Sequence, residues 1–201
     1  MKTIESKNSG KTRYGKEIYD RPFVIHPNDT TTDFLKDIYK DKNWNLANDG
    51  DQRREFLSRQ TPRLHYDVKH SPCVIMLGHG TKSGLFGKGG YVIDEKSAKY
   101  LKRKENVYIW CNADKYVEQH GLAGFYTGMI ISEMAEAFLC GVGTDKDCVN
   151  ESNQRFANAI KISLQAGRGD LNIVEEVRKS YYTEGNPVID YNIKNLYYKG
   201  L

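Results

Sequence analysis

Hydrophobic residues along the chain form short uninterrupted runs that predict buried β-strands. The two clearest runs are residues 73–77 and 107–110. A continuous apolar run of this length is typical of a strand covered on both faces, as in a parallel sheet. Shorter runs predict three further strands, at residues 23–25, 44–46 and 91–93.

Helical periodicity separates these runs. Apolar residues recur every three to five positions over 125–139, and at i, i+4 and i+8 over 153–166. By similar patterns we predict helices at 52–59, 95–103 and 170–180, a helix begun by Thr31 or Thr32, and a terminal strand at 188–198. Strands that alternate with helices indicate an α/β domain with a mainly parallel central sheet flanked by helices.

The length and composition fit one globular domain. The chain has 201 residues, of which 39% are hydrophobic and 28% charged, so it can bury a core without disulfides or a metal. We interpret residues 1–20 as a loose basic arm and residues 21–201 as a single domain. No apolar run approaches the ~18 residues that cross a bilayer, and the basic start lacks the apolar segment of a secretory signal. We therefore expect a cytoplasmic protein that does not bind membranes.

Charge and cysteine content narrow the function further. The net charge of +4 comes without the dense basic patch of a nucleic-acid binder, so no nucleic-acid partner is expected. None of the four cysteines forms a Cys-x-x-Cys pair, which disfavours zinc-ribbon and thioredoxin-like sites. The composition also allows a homo-oligomer.

Two strands with the strongest signals end in reactive side chains. His79 follows the run 73–77, with a glycine on either side, and Cys111 follows the run 107–110. In open α/β sheets, ligands and catalytic groups gather beyond the carboxyl ends of the strands. If the two strands are neighbours, the imidazole and the thiol face one crevice.

A histidine and a cysteine in one crevice can perform nucleophilic catalysis. The imidazole of His79 can accept the proton of the Cys111 thiol, and the sulfur can then attack a peptide carbonyl. The oxyanion that forms needs hydrogen-bond donors, for which the backbone N–H groups of Gly80 and Cys111 are the candidates. Taken singly, each side chain also has a structural interpretation, as a core cysteine or a satisfied polar histidine.

The pattern of apolar strand, His-Gly, apolar strand and Cys resembles the caspase-like cysteine peptidases, a clan that includes caspases, metacaspases, clostripain and gingipain. The matching segments are residues 73–80 and 107–113, and the resemblance extends over roughly residues 21–140. The caspase signature Gln-Ala-Cys-Arg-Gly is absent, because Cys111 follows Ile109 and Trp110. Caspase-type specificity for aspartate is therefore not expected.

The resemblance implies a caspase-hemoglobinase-like three-layer sandwich. It also implies that the protein is a cysteine endopeptidase, with His79 as general acid and base and Cys111 as nucleophile. No metal or organic cofactor would be required, and the partner would be a peptide or protein substrate.

Two acidic residues lie close to strand ends and are candidates for substrate binding. A carboxylate of Asp94 or Asp114 at the base of the specificity pocket would select a basic residue before the cleaved bond, although either can equally be a solvated loop acid. The glycine-rich segment 78–90 is interpreted as a mobile loop beside the substrate, or as an anion site. The alternative function is a non-catalytic α/β module that binds a peptide or nucleotide on a degenerate peptidase scaffold.

Overall fold

A computed structural model describes residues 21–27, 29–48, 62–165 and 172–201. The predicted basic arm 1–20 and the predicted helix 52–59 lie outside the described residues. Among the described helices, none is both long enough and apolar enough to pass through a bilayer.

The described strands form a six-stranded central sheet and a separate three-stranded sheet. The strands of the central sheet are β1 (Phe23–His26), β2 (Asn45–Asn48), β3 (Val74–Leu77), β7 (Glu105–Ile109), β8 (Ala123–Thr127) and β9 (Leu196–Lys199). Their order in the sheet is β2-β1-β3-β7-β8-β9, and all run parallel except β9, which is antiparallel to β8. The small antiparallel sheet consists of β4 (Gly80–Thr81), β5 (Gly84–Gly87) and β6 (Gly90–Ile93).

Helices cover both faces of the central sheet. A 3₁₀ helix spans Thr30–Ile38, and the α-helices are α1 (Pro62–His70), α2 (Glu95–Leu101), α3 (Ala113–His120), α4 (Met134–Leu139), α5 (Lys146–Gln165), α6 (Asn172–Tyr181) and α7 (Pro187–Ile193). Successive strand residues point to opposite faces: Val74 and Met76 pack with α1, α2 and α3, whereas Ile75 and Leu77 pack with the 3₁₀ helix, α5, α6 and α7. The predicted α/β class, with a mainly parallel sheet between helices, is confirmed.

Two predictions in the second half of the chain are wrong. The predicted helix 125–139 is instead strand β8 followed by a loop and the short helix α4; β8 is buried along its whole length between helical layers, so its apolar residues need no helical period. The predicted strand 188–198 is divided into helix α7 and strand β9. Asn186 begins α7, because its side chain accepts hydrogen bonds from the backbone N–H groups of Val188 and Ile189.

Other elements differ from the sequence patterns in smaller ways. Helices α1 and α3 were not predicted. The glycine-rich segment is ordered as the small sheet rather than as a loop, with Gly84 and Gly90 in the positive-φ conformations that glycine adopts most readily. The helix attributed to a Thr31 or Thr32 cap is a 3₁₀ helix begun by Asp29, whose carboxylate accepts from the Thr31 N–H.

Candidate active site

The histidine and the cysteine lie at equivalent positions on adjacent parallel strands. In the register of β3 and β7, Leu77 is opposite Ile109, and each reactive residue comes two positions later. The N–H of Gly78 donates to the carbonyl of Ile109 over 3.0 Å, which continues the pairing past the strand ends. His79 and Cys111 border the same groove.

The groove is narrow and largely apolar. Its volume is about 20 Å³, which is room for about one water molecule. Side chains and backbone from the 3₁₀ helix, the ends of β3 and β7, the loop after β8, and α5 line it: Thr32, Phe34, Leu35, Gly78, His79, Ile109, Trp110, Cys111, Ile130, Ser132 and Phe156.

A sharp turn between strand and helix presents Cys111. The next residue, Asn112, has φ of 64° in the left-handed region, and α3 begins immediately after it. Asparagine adopts this conformation more readily than most residues. The N–H of Asn112 donates to the carbonyl of Gly128 over 3.0 Å, so the turn is also tied to the loop after β8.

The Cys111 thiol faces two acceptors on the segment that follows β8. Sγ lies 3.4 Å from the carbonyl oxygen of Ile130 and 3.5 Å from Oε1 of Glu136. Burial is the main cause, and the charge of Glu136 the second, of a rise in the pKa of Cys111 to about 12. In this conformation the sulfur is a protonated thiol at neutral pH.

A hydrogen-bonded chain orients the His79 ring. The Thr31 hydroxyl donates to Oδ1 of Asp29 over 2.6 Å, and its oxygen lies 2.7 Å from Nε2 of His79. Because the single hydroxyl hydrogen goes to Asp29, Thr31 accepts from Nε2–H, which assigns the proton of the neutral ring to Nε2. The lone pair of Nδ1 is then the basic site, and no hydrogen bond among the described residues occupies it. The imidazole and the thiol share the groove without a hydrogen bond between them.

Gly80 lies where the small sheet meets the end of β7. A Cβ atom at this position would be 2.3 Å from Cδ1 of Trp110, so glycine is needed for the indole to pack there. The indole N–H donates to the carbonyl of Thr81 over 3.0 Å. These contacts hold the Gly80 backbone against Trp110, the residue that precedes Cys111. The oxyanion role of the Gly80 and Cys111 amides stays a prediction.

The two predicted substrate-binding acids do not line the groove. Asp94 begins helix α2, and its carboxylate accepts from the backbone N–H groups of Lys96 and Ser97, so it has a structural role as a cap. Asp114 lies half-buried in the first turn of α3, and its Oδ1 is buried without a hydrogen-bond partner among the described residues. The carboxylate that the structure brings to the sulfur is Glu136.

Sequence reasoning missed Glu136, Thr31 and Asp29. The run of Asp and Thr residues at 29–32 signals the start of a helix, but nothing local connects it with His79, which is 48 residues from Thr31. Glu136 is likewise 25 residues from Cys111. Their roles depend on which strands and loops become neighbours.

A second, buried histidine anchors the same 3₁₀ helix to the sheet. Nδ1 of His26 lies 2.8 Å from the Tyr39 hydroxyl, and Nε2 lies 3.1 Å from the Thr32 hydroxyl. The side chain is 2% exposed, and burial is the main cause, followed by the charge of Lys36, of a fall in its pKa to about 4. Thr31 and Thr32 therefore each contact a histidine, and His26 helps to place the residue that orients His79.

We expect the protein to lose stability in mild acid because of His26. The unfolded chain binds a proton at this residue below pH ~6.5, whereas the folded protein binds it only near pH 4. The free energy of unfolding therefore has its full value above pH ~6.5. As the pH falls from 6.5 toward 4, it decreases by up to about 3 kcal/mol. Urea denaturation at pH 7.5, 6, 5 and 4.5 measures this. His26→Gln should flatten the profile in that window, and an equally steep profile would contradict the assignment.

The site shows no arrangement for a resident metal, and comparison with known proteins does not assign it to a family. Within the described ranges, no group of three or more His, Cys, Asp or Glu side chains is placed to hold a metal ion. No model of a known protein family matches the sequence, and no curated protein is significantly similar to it.

Proposed function

We propose that this protein is a cysteine endopeptidase in which Cys111 is the nucleophile and His79 the general acid and base. The observation that carries the proposal is the placement of both side chains at the carboxyl ends of adjacent parallel strands, bordering one groove. The topological position is where α/β sheets carry their sites. The proposal includes a caspase-hemoglobinase-like arrangement of the sheet and its helical layers, which the helices on both faces support.

The orientation of His79 supports its role as a base. Thr31, which is itself held by Asp29, occupies Nε2–H, so Nδ1 is the atom that is left to exchange protons with the reacting groups. A third group that orients the base in this way is a general feature of activated nucleophiles. The Asp29 carboxylate also lies 3.9 Å from Nε2, so it belongs to the set of groups that orient the ring.

The proposed reaction has two stages. Nδ1 of His79 accepts the proton of the Cys111 thiol as Sγ bonds to the peptide carbonyl carbon, and the amides of Gly80 and Cys111 donate to the oxyanion. The C–N bond then breaks, and His79 gives the proton to the leaving amine. In the second stage His79 takes a proton from water, and the resulting hydroxide attacks the thioester. The C–S bond breaks, the carboxylic acid leaves, and the proton returns to the sulfur.

The thiol must turn before this chemistry can begin. Sγ now faces the carbonyl of Ile130 and the carboxylate of Glu136 rather than the imidazole. The proposed proton transfer therefore requires that the thiol turns toward Nδ1 of His79.

A fluorogenic peptide panel tests the proposal. Peptides that differ only in the residue before the cleaved bond (Arg, Lys, Gln, Leu or Asp) are incubated with the protein and with its Cys111→Ala variant. We expect cleavage by the natural protein alone, with Arg or Lys preferred because acidic Glu136 lies beside the sulfur. Equal cleavage by both proteins would reveal a contaminating peptidase, and an inactive natural protein would contradict the proposal. Preference for an uncharged residue would remove only the basic specificity.

Two features of Cys111 support a non-catalytic binding module as the second candidate. The raised pKa of Cys111 and the absence of a hydrogen bond between its thiol and His79 suit a packed side chain as well as a resting nucleophile. A binding module would be stabilised by peptides or nucleotides in a thermal-shift assay and would leave them intact. The Cys111→Ala variant would then bind as well as the natural protein.

A further inference from the structure

We propose that the Glu136 carboxylate is a latch that holds Cys111 in an unreactive resting state. This inference concerns regulation of the same site and rests on the proposed function for its biological meaning. Its physical content, control of the thiol by one carboxylate, can be tested without any peptide.

Three hydrogen bonds to the other carboxylate oxygen, Oε2, hold the Glu136 side chain in place. Oε2 of Glu136 accepts from the backbone N–H of Ser132 over 2.7 Å, the Ser132 hydroxyl over 2.9 Å, and the N–H of Glu133 over 3.2 Å. Oε1 is left to face the sulfur at 3.5 Å. The carboxylate that closes the first turn of α4 is therefore the same one that meets the thiol, so it cannot leave the sulfur without disturbing the start of the helix.

Hydrogen bonds from helix α7 also fix the backbone at Ile131. Asn192 on α7 accepts from the N–H of Ile131 over 2.8 Å and donates to its carbonyl over 2.9 Å. This buried pair of hydrogen bonds fixes the segment whose preceding carbonyl, that of Ile130, is the second acceptor for the thiol. The start of α4 thus holds the carboxylate of Glu136 next to Sγ, and helix α7 holds the segment that carries the carbonyl of Ile130.

The Glu136 carboxylate favours the thiol over the thiolate. A hydrogen bond from S–H exists only in the protonated form, and a carboxylate repels a second negative charge. No Lys, Arg or His within the described ranges forms an ion pair with Glu136, so its charge acts on the sulfur without a cation to neutralise it. The other titratable groups around the sulfur are His79, Cys140 and Tyr191. Neutralising the carboxylate, or moving the amino end of α4, would release the thiol.

Alkylation of Cys111 by iodoacetamide measures the latch directly. Glu136→Gln removes the charge but keeps an acceptor at the third position of α4, where glutamine also serves in a capping box. The alkylation rate of the Cys111 peptide is followed by mass spectrometry between pH 6 and 10. Each unit by which the thiol pKa falls raises the rate at neutral pH about threefold, because the tenfold gain in thiolate is partly offset by lower nucleophilicity. We expect an increase of at least about threefold.

The matched control is Glu133→Gln, which removes the same charge one turn earlier on the same segment. The acceptors of Sγ are Ile130 and Glu136 and not Glu133, so this variant should alkylate at nearly the natural rate. An unchanged rate in Glu136→Gln, or an equal increase in both variants, would overturn the latch. If circular dichroism shows that Glu136→Gln does not fold, Glu136→Asp replaces it. That variant withdraws the charge by one methylene and should alkylate faster than the natural protein, and a rate no faster would overturn the latch.

The outcomes separate the latch from the peptidase proposal. Faster alkylation of Glu136→Gln with no peptide cleaved by any variant would support the latch and reject the peptidase. Cleavage of peptides with unchanged alkylation of Glu136→Gln would support the peptidase and reject the latch.

Discussion

Replacing His79 with alanine is expected to lower kcat/KM for a cleaved peptide by about 10²- to 10⁴-fold, the contribution typical of a general acid–base group. The variant removes the acceptor of the thiol proton and the donor to the leaving amine. His79 is only half-buried, so the substitution opens no large core cavity, and the midpoint of thermal unfolding should change little. The loss of kcat/KM is measured from initial rates with the peptide of the panel that is cleaved fastest. The rate of the Cys111→Ala variant is subtracted as the background.

Thr31 variants show whether His79 acts through the proposed ring orientation. Thr31→Val keeps the shape of the side chain but removes the acceptor for Nε2–H, so Nδ1 is no longer held as the basic atom. Its kcat should fall between those of the natural protein and His79→Ala, with an altered pH profile, whereas Thr31→Ser should restore activity.

If His79→Ala retained more than a tenth of the natural kcat/KM, the imidazole would not be the catalytic base.

Replacing Trp110 with alanine is expected to reduce the free energy of unfolding by about 3–5 kcal/mol, as is typical of large buried side chains. The indole is 2% exposed and packs edge-on against Tyr108 and Tyr116, with ring centroids 5.7 and 5.5 Å away. Its N–H also holds the carbonyl of Thr81. The substitution therefore removes core packing and loosens the small sheet at once.

Urea denaturation at pH 7.5 measures this loss, and Trp110→Phe is the matched control. Phenylalanine keeps most of the buried apolar surface but cannot donate to Thr81, so its cost should be clearly smaller than that of alanine. A loss below about 1.5 kcal/mol for Trp110→Ala would show that the site collapses around the missing ring, and would contradict the role of Trp110 as the anchor of the small sheet.

Local pattern predicted the two central strands, and with them the positions of His79 and Cys111 just after the strand ends. Strand β3 and the residues of β7 from Val107 onward are covered on both faces, so these segments are apolar without interruption and the residues after them can be identified directly. The same rule explains the failure at β8. This strand is also buried on both faces, and its apolar residues continue into Ile130 beyond its end, so the spacing imitated a helix. Periodicity alone does not separate a buried strand from a buried helix.

The roles of the acids were decided by packing rather than by proximity in sequence. Asp94 and Asp114 are near strand ends, but both belong to the first turns or caps of helices, which favour carboxylates for local reasons. Glu136 also belongs to a helix start. The chain after β8, however, passes the end of β7 and brings Oε1 of Glu136 to the sulfur of Cys111.

By itself the sequence determined the α/β class, the central strands, and the placement of an imidazole and a thiol after two of them, because these depend on short-range hydrophobic pattern. Only the tertiary structure decided that the two strands are neighbours, that Asp29 and Thr31 orient His79, and that Glu136 faces Cys111. Each of these contacts joins positions far apart in the chain, and their partners depend on how strands, helices and loops assemble around one sheet edge.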